Sequence, residues 1–199
     1  MKQVSLSGSP RENVGRKEAA ELRRNMRIPG VLYGGSTQVA FSISKIDFDR
    51  IQANPDTLQI NLDLGGKTYP GVLQEIQMDP VTDRVIHIDL LELVPGKIVR
   101  TKLSVHTTGV SEGVKTGGKL TQNYRKVRIS GTPENLPDAI SIDISALNIG
   151  DSIRVREVSV PGCKLHESEA SVLVGVYATR ASIADAAAAA APAKDVKKK

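Results

Sequence analysis

Hydrophobic and polar residues alternate along most of this chain in short runs broken by Gly and Pro. Thr57 to Leu64 is the clearest run: Leu58, Ile60, Leu62 and Leu64 share one face, as in a half-buried strand. Gly65-Gly66 predicts a hairpin turn into a second strand over Lys67 to Met78; Asp79-Pro80 breaks that run, and Val85 to Leu93 resumes it. Val31-Leu32-Tyr33, stopped by Gly34-Gly35, and Val39 to Ile43 read as further strands. Lys45 to Ile51 reads as one or two helical turns ending before Asn54-Pro55. Several short strands with little helix predict a small barrel or curled sheet.

The period changes between Arg16 and Arg27. The segment RKEAAELRRNMR is rich in good helix formers, and at about 100° per residue its faces separate. Ala19, Leu22 and Met26 form a stripe able to dock on a core, and Glu18, Glu21 and Asn25 form the next sector. Arg16, Arg23 and Arg27 align on a third, flanked by Lys17 and Arg24. Ile28-Pro29-Gly30 is expected to end this helix, because proline disfavours helical geometry before it and lacks an N–H.

Val94-Pro95-Gly96 marks the expected boundary between a domain at 1–94 and one at 95–180. Beyond it, Ile98–Val105, Lys119–Tyr124, Lys126–Ser130, Ile140–Ile144, Ile153–Val160 and Ser171–Tyr177 read as strands of an all-β domain. Residues 181–199, with six consecutive alanines at 186–191 and a terminal Lys197-Lys198-Lys199, cannot bury a core and are expected to form a disordered tail. The fold class expected is mainly β, within α+β.

Composition narrows the chemistry. Aromatics make up 3% of 199 residues, so the core must come from Val, Ile and Leu. A single cysteine, Cys163, excludes an internal disulfide framework and cannot alone build a Cys-rich zinc site. No apolar run reaches the roughly 18 residues of a membrane span, and the polar start MKQVSLSGSPREN lacks the apolar region of a signal peptide. The expected setting is a reducing, cytoplasmic one without a membrane. The net charge of +5 is uneven: residues 1–30 carry seven basic groups against three acidic, and residues 181–199 four against two. The rest is nearly neutral. Such asymmetry suggests a surface that faces a polyanion.

Catalytic signatures are absent. His87, His106 and His166 have no metal-ligand spacing, and the Gly-rich stretch at 113–118 lacks the phosphate-loop pattern. No cofactor or metal is expected, and Cys163 reads as an idle thiol. The better candidate is His87-Ile88-Asp89. On a strand, His87 and Asp89 project to one side, while Ile88 and Leu90 face the core, and a neighbouring carboxylate holds an imidazole in place. Gln74 on the preceding strand is expected to share this face, and Tyr33 follows the basic helix closely. A polar strand face beside an arginine helix suits RNA better than DNA. A-form minor grooves are wide and shallow, with ribose hydroxyls and base edges within reach.

Arg11, Gly15-Arg16-Lys17, Leu22-Arg23-Arg24, the run Arg27 to Gly34, Gln74-Glu75-Ile76-Gln77 and His87 to Leu90 resemble the bacterial large-subunit ribosomal protein twenty-five family. Gly109 to Leu120, Pro137 to Ile140 and Ile144 to Ser152 resemble the second domain of its long form, the general stress protein CTC. The resemblance covers roughly residues 3–178. It implies a structural, non-enzymatic protein that binds 5S ribosomal RNA in the central protuberance through an N-terminal β-barrel, and that is monomeric off the ribosome. By matching position, it implies Arg11, Arg16 and Arg23 at the RNA backbone, and Tyr33, Gln74, His87 and Asp89 in polar RNA contacts. Lys17, Arg24 and Arg27 would be supporting charges. Many relatives are basic where this chain has Ala20-Glu21. A rival reading from another class is a stress-related adaptor acting through the second domain, which could also touch the large rRNA or other ribosomal proteins.

Overall fold

The computed structural model describes residues 1–179, so the expected tail at 181–199 lies outside the described residues. The first ninety-odd residues form β1 (Gln3–Pro10), α1 (Arg16–Arg24), β2 (Arg27–Tyr33), β3 (Val39–Ser44), α2 (Lys45–Gln52), β4 (Gln59–Leu64), β5 (Lys67–Met78) and β6 (Val85–Glu92). The six strands close into a barrel in the order β1-β3-β2-β6-β5-β4. The β1/β4 and β2/β6 pairs are parallel and the other four are antiparallel. Closure gives every strand of the barrel a neighbour on both sides along part of its length.

Alternation fills the interior. Leu6, Ile28, Leu32, Phe41, Ile43, Ile60, Leu62, Ile88 and Leu90 are all at most 2% exposed and pack with Phe48 and Ile51 of α2. At about 1.5–3 kcal/mol for each fully buried aliphatic or aromatic side chain, this cluster dominates the barrel's stability. Gly30 is required by that packing: a Cβ there would lie 2.6 Å from Phe41 Cζ and 2.8 Å from the Ile88 carbonyl oxygen.

Two expectations change. Strand β1 replaces what reads in sequence as a polar start, because its residues find partners on β3 and β4. The basic helix ends at Arg24 rather than Arg27. Asn25 N–H bonds the Glu21 carbonyl at 3.0 Å, and Met26 takes a left-handed φ of 55° that turns the chain directly into β2. Ile28-Pro29-Gly30 is therefore strand. Pro29 lies where β2 has one neighbour, β3, since pairing with β6 begins at Gly30.

The remainder comprises β7 (Val99–Thr108), α3 (Glu112–Lys115), β8 (Lys119–Gln122), β9 (Lys126–Gly131), β10 (Ala139–Asp143), β11 (Ser152–Arg154), β12 (Cys163–Leu165) and β13 (Val172–Tyr177). These form a four-stranded sheet, β10-β7-β9-β12, and a three-stranded one, β11-β13-β8. The expected strand over Ile153–Val160 is cut short by a 3-10 turn at Val155–Glu157. The described chain is thus mainly β, within α+β, as expected. It divides into two compact units: residues 1–104 with 126–140 and 160–166, and residues 105–125 with 141–159 and 167–179.

Candidate RNA-binding face

Strand β6 places the central pair. Its inward residues Ile88 and Leu90 are fully buried, which turns His87 and Asp89 outward, each side chain about a quarter exposed. His87 Nδ1 donates to Asp89 Oδ1 at 2.7 Å. An ionised carboxylate only accepts, so the proton sits on Nδ1 and Nε2 points away from the pair.

Register assembles the neighbours. Val31 pairs with Asp89 and Tyr33 with Leu91, so Tyr33 lies on the same face. Burial, then the carboxylates of Asp89 and Glu75, push the Tyr33 phenol above its ordinary range and keep it a neutral hydrogen-bond donor. On the other side, β5 carries a bulge: Leu73 pairs with Leu90 and Glu75 with Asp89, so Gln74 and Glu75 together oppose one residue. Gln77 pairs with His87. Gln74 Oε1 is buried and makes no hydrogen bond among the described residues. The Gln74 side chain also lines a cleft of about 430 Å³ with Asn54, Thr57 and Lys102. Glu75 and Gln77 are additions that sequence reasoning missed; their positions follow from the bulge and the register.

The arginines divide into two sets. Arg23 Nε donates to the Ile86 carbonyl at 3.0 Å, which lays an exposed guanidinium beside His87. Arg16, Lys17 and Arg24 are exposed and make no ion pair among the described residues. Arg11 and Arg27 are committed elsewhere. Arg11, with a side chain 7% exposed, pairs with Glu18 at 3.4 Å and bonds the Asn13 carbonyl. Arg27 binds Ser42 O at 2.9 Å, Ser42 Oγ at 3.1 Å and Ser9 Oγ at 3.0 Å, tying β2 to β3 and β1. The docking stripe expected on α1 forms in part: Ala19 and Leu22 are half-buried, no α1 residue is fully buried, and Met26, beyond the helix end, is 56% exposed.

The face is open. Among the described residues, no three His, Cys, Asp or Glu side chains are grouped to hold a metal. Burial pushes the Cys163 thiol above its ordinary range, and Cys163 Sγ contacts the Asn135 carbonyl at 3.5 Å, so this thiol is no activated nucleophile. No helix among the described residues is long and apolar enough to cross a membrane. The surface thus presents fixed donors and acceptors beside exposed cations. Residues 6–90 match the Ribosomal L25p family and residues 98–180 match the Ribosomal protein TL5, C-terminal domain. The large ribosomal subunit protein bL25 of Porphyromonas gingivalis is 38% identical over 184 residues, covering 92% of this chain and 96% of that one. The bL25 of Christiangramia forsetii is 34% identical over 90% of this chain and 83% of its own, and that of Cytophaga hutchinsonii 37% over 79% and 82%. The chain belongs to the bL25 family, in its long form. It is a structural, non-enzymatic protein of the large ribosomal subunit, on cytoplasmic ribosomes.

Proposed function

We propose that the chain binds 5S ribosomal RNA in the central protuberance of the large subunit, through α1 and the outward face of β2, β6 and β5. In this reading residues 1–94 form the RNA-binding domain, 95–180 a separate β domain, and the protein is a monomer off the ribosome. The observation that carries the reading is the placement of Arg23 on the Ile86 carbonyl, next to the bonded His87–Asp89 pair. A cation is thereby held beside a fixed donor–acceptor set on an otherwise unobstructed strand face.

Recognition divides between these groups. Arg23, with Arg16, Lys17 and Arg24 around it, displaces condensed counterions from the phosphates and sets orientation. His87 Nε2, the Tyr33 hydroxyl, the Gln77 amide and the free lone pairs of Asp89 meet ribose hydroxyls and base edges in a shallow A-form minor groove. Gln74, whose Oε1 is buried, supports this face from the cleft side. Arg11 and Arg27 serve by shaping the surface, because their guanidinium groups are occupied.

The test is equilibrium binding of the full chain to 5S ribosomal RNA, with transfer RNA as competitor and salt varied. Selective binding with a salt slope for about three to six phosphate contacts is expected. Arg23→Ala and His87→Ala should each weaken binding while circular dichroism and melting stay unchanged. Equal affinity for wild type and both variants would remove the site assignment.

A further inference from the structure

The sheet built by β7, β9 and β12 has a second charged surface, on the opposite side from its core. Pairing in register places Arg100 opposite Ser130, and Ser130 opposite Lys164. The next row sets Lys102 opposite Arg128, and the third sets Lys126 opposite Ser104, which is itself buried and donates to the Pro55 carbonyl. Alternate residues Val99, Thr101, Leu103, Val127 and Ile129 are buried beneath. The outward rows thus hold five cations and no carboxylate, and all five are exposed. Arg100, Lys102, Lys126 and Lys164 make no ion pair among the described residues. These rows lie wholly within the first compact unit.

Residues two apart on a strand are about 6.6 Å apart, and neighbouring strands are about 4.8 Å apart. The cations therefore form a compact patch, which suits a continuous line of negative charge better than a single carboxylate. On a ribosomal protein, that line is phosphate.

We infer that the β7–β9–β12 face is a second RNA-binding surface, which takes the phosphate backbone of an RNA segment without reading its sequence. It adjoins the β5 end of the first face, since Lys102 and Lys126 line the cleft that also holds Gln74, Glu75 and Asp56, and it does not depend on the 5S assignment. Four free cations give a salt slope of about −3.6, or about a 150-fold loss of affinity for this surface between 50 and 200 mM salt. With two of them removed the loss falls to about 12-fold.

The experiment uses the full chain and a labelled 20-base-pair RNA duplex of arbitrary sequence. Reactive lysines are acetylated in the presence and absence of duplex, and the sites are read by mass spectrometry. Protection of Lys102, Lys126 and Lys164 is expected, as is the shallower salt dependence in Lys102→Gln/Lys164→Gln with unchanged melting. Protection should persist in Arg23→Ala/His87→Ala, which separates this surface from the α1–β6 face. The inference is overturned if duplex leaves the three lysines as reactive as in the free protein. It is equally overturned if polyglutamate at matched charge protects them and the duplex does not.

Discussion

Replacing Asp89 by Asn separates two accounts of the polar face that differ in sign. If Asp89 acts only through its charge, its removal helps a surface that meets a polyanion. At about 8 Å from a phosphate in water, that gain is about 0.5 kcal/mol before screening, and salt near 0.15 M reduces it further. If Asp89 acts by holding His87, removal costs binding. A charge-assisted hydrogen bond such as the 2.7 Å contact between His87 Nδ1 and Asp89 Oδ1 contributes about 1.5–3 kcal/mol when desolvated. Asn keeps an Oδ1 acceptor and loses only the charge, and each side chain is about a quarter exposed, so the loss is about 1 kcal/mol, or about 5-fold in affinity. The assay is fluorescence anisotropy with 5S RNA on wild type, Asp89→Asn, His87→Ala and the double variant. A coupling energy of about 1 kcal/mol is expected between the two positions. Ring-labelled tyrosine followed by NMR supplies a control: the Asp89 charge is one cause of the raised Tyr33 phenol, so Asp89→Asn should lower it. Unchanged or tighter RNA binding by Asp89→Asn, or strict additivity with His87→Ala, would refute the positioning role.

Gly30→Ala should destabilise the protein by about 1–3 kcal/mol, because its Cβ meets Phe41 and the Ile88 carbonyl in the closed barrel. Chemical denaturation reads this as a lower midpoint with unchanged slope, and an unshifted midpoint would contradict the packing argument. Arg27→Ala should cost about 1–3 kcal/mol of stability through the abandoned Ser42 and Ser9 acceptors. Arg24→Ala should leave melting unchanged and reduce the salt slope for RNA by about one; reversal of these roles would show the two arginine sets wrongly divided. The Asp79 carboxyl is held low by the Val81 N–H first and then Thr82, and that of Asp143 by the Ser145 hydroxyl and N–H. Both folded values lie below the unfolded one, so these loop bonds are present above the ordinary carboxylate range and are lost as pH falls through the folded values. Hydrogen exchange at Val81 and Ser145, corrected for intrinsic rate, should therefore keep its protection through the ordinary carboxylate range, about pH 4, and lose it only at lower pH. Loss of half the protection already at the ordinary carboxylate value of about pH 4 would exclude this linkage.

Elements whose core contacts follow a local period were legible in the sequence. The strict alternation from Leu58 to Leu64 produced β4, and the Gly65-Gly66 turn produced its hairpin with β5. Parity alone put His87 and Asp89 on one outward face, where they bond. Elements fixed by distant partners were not legible. In β1 only Val4 and Leu6 are apolar among Ser, Gln and Gly, and its strand state comes from pairing with β3 and β4. The fate of each guanidinium was also hidden. Arg27 aligns with Arg23 on a helical wheel, yet it lies beyond the helix and its acceptors are on β3 and β1. Nothing in the local pattern marks Ser42 and Ser9 as those acceptors. The bulge that brings Glu75 opposite Asp89 depends likewise on the register of a whole strand pair.

The contrast between anchored and free cations bears on how the proposed RNA complex forms. An arginine side chain carries about 2 kcal/mol of rotamer entropy, much of it lost when it is fixed on a phosphate. Arg23 is already restrained through Nε, with its terminal nitrogens left unbonded, and His87 is restrained through Nδ1. Both therefore meet the RNA with less ordering to do, which is where geometric discrimination is cheapest. Arg16, Lys17 and Arg24 have no such restraint, and their contribution is the long-range attraction that salt screens. Restrained residues at the centre thus set register, while mobile cations at the rim set the rate of encounter. It follows that raising the salt should slow association by the full chain far more than it erodes the preference for 5S RNA over transfer RNA. A preference that collapsed in step with affinity would mean the central pair is passive and the surface merely basic.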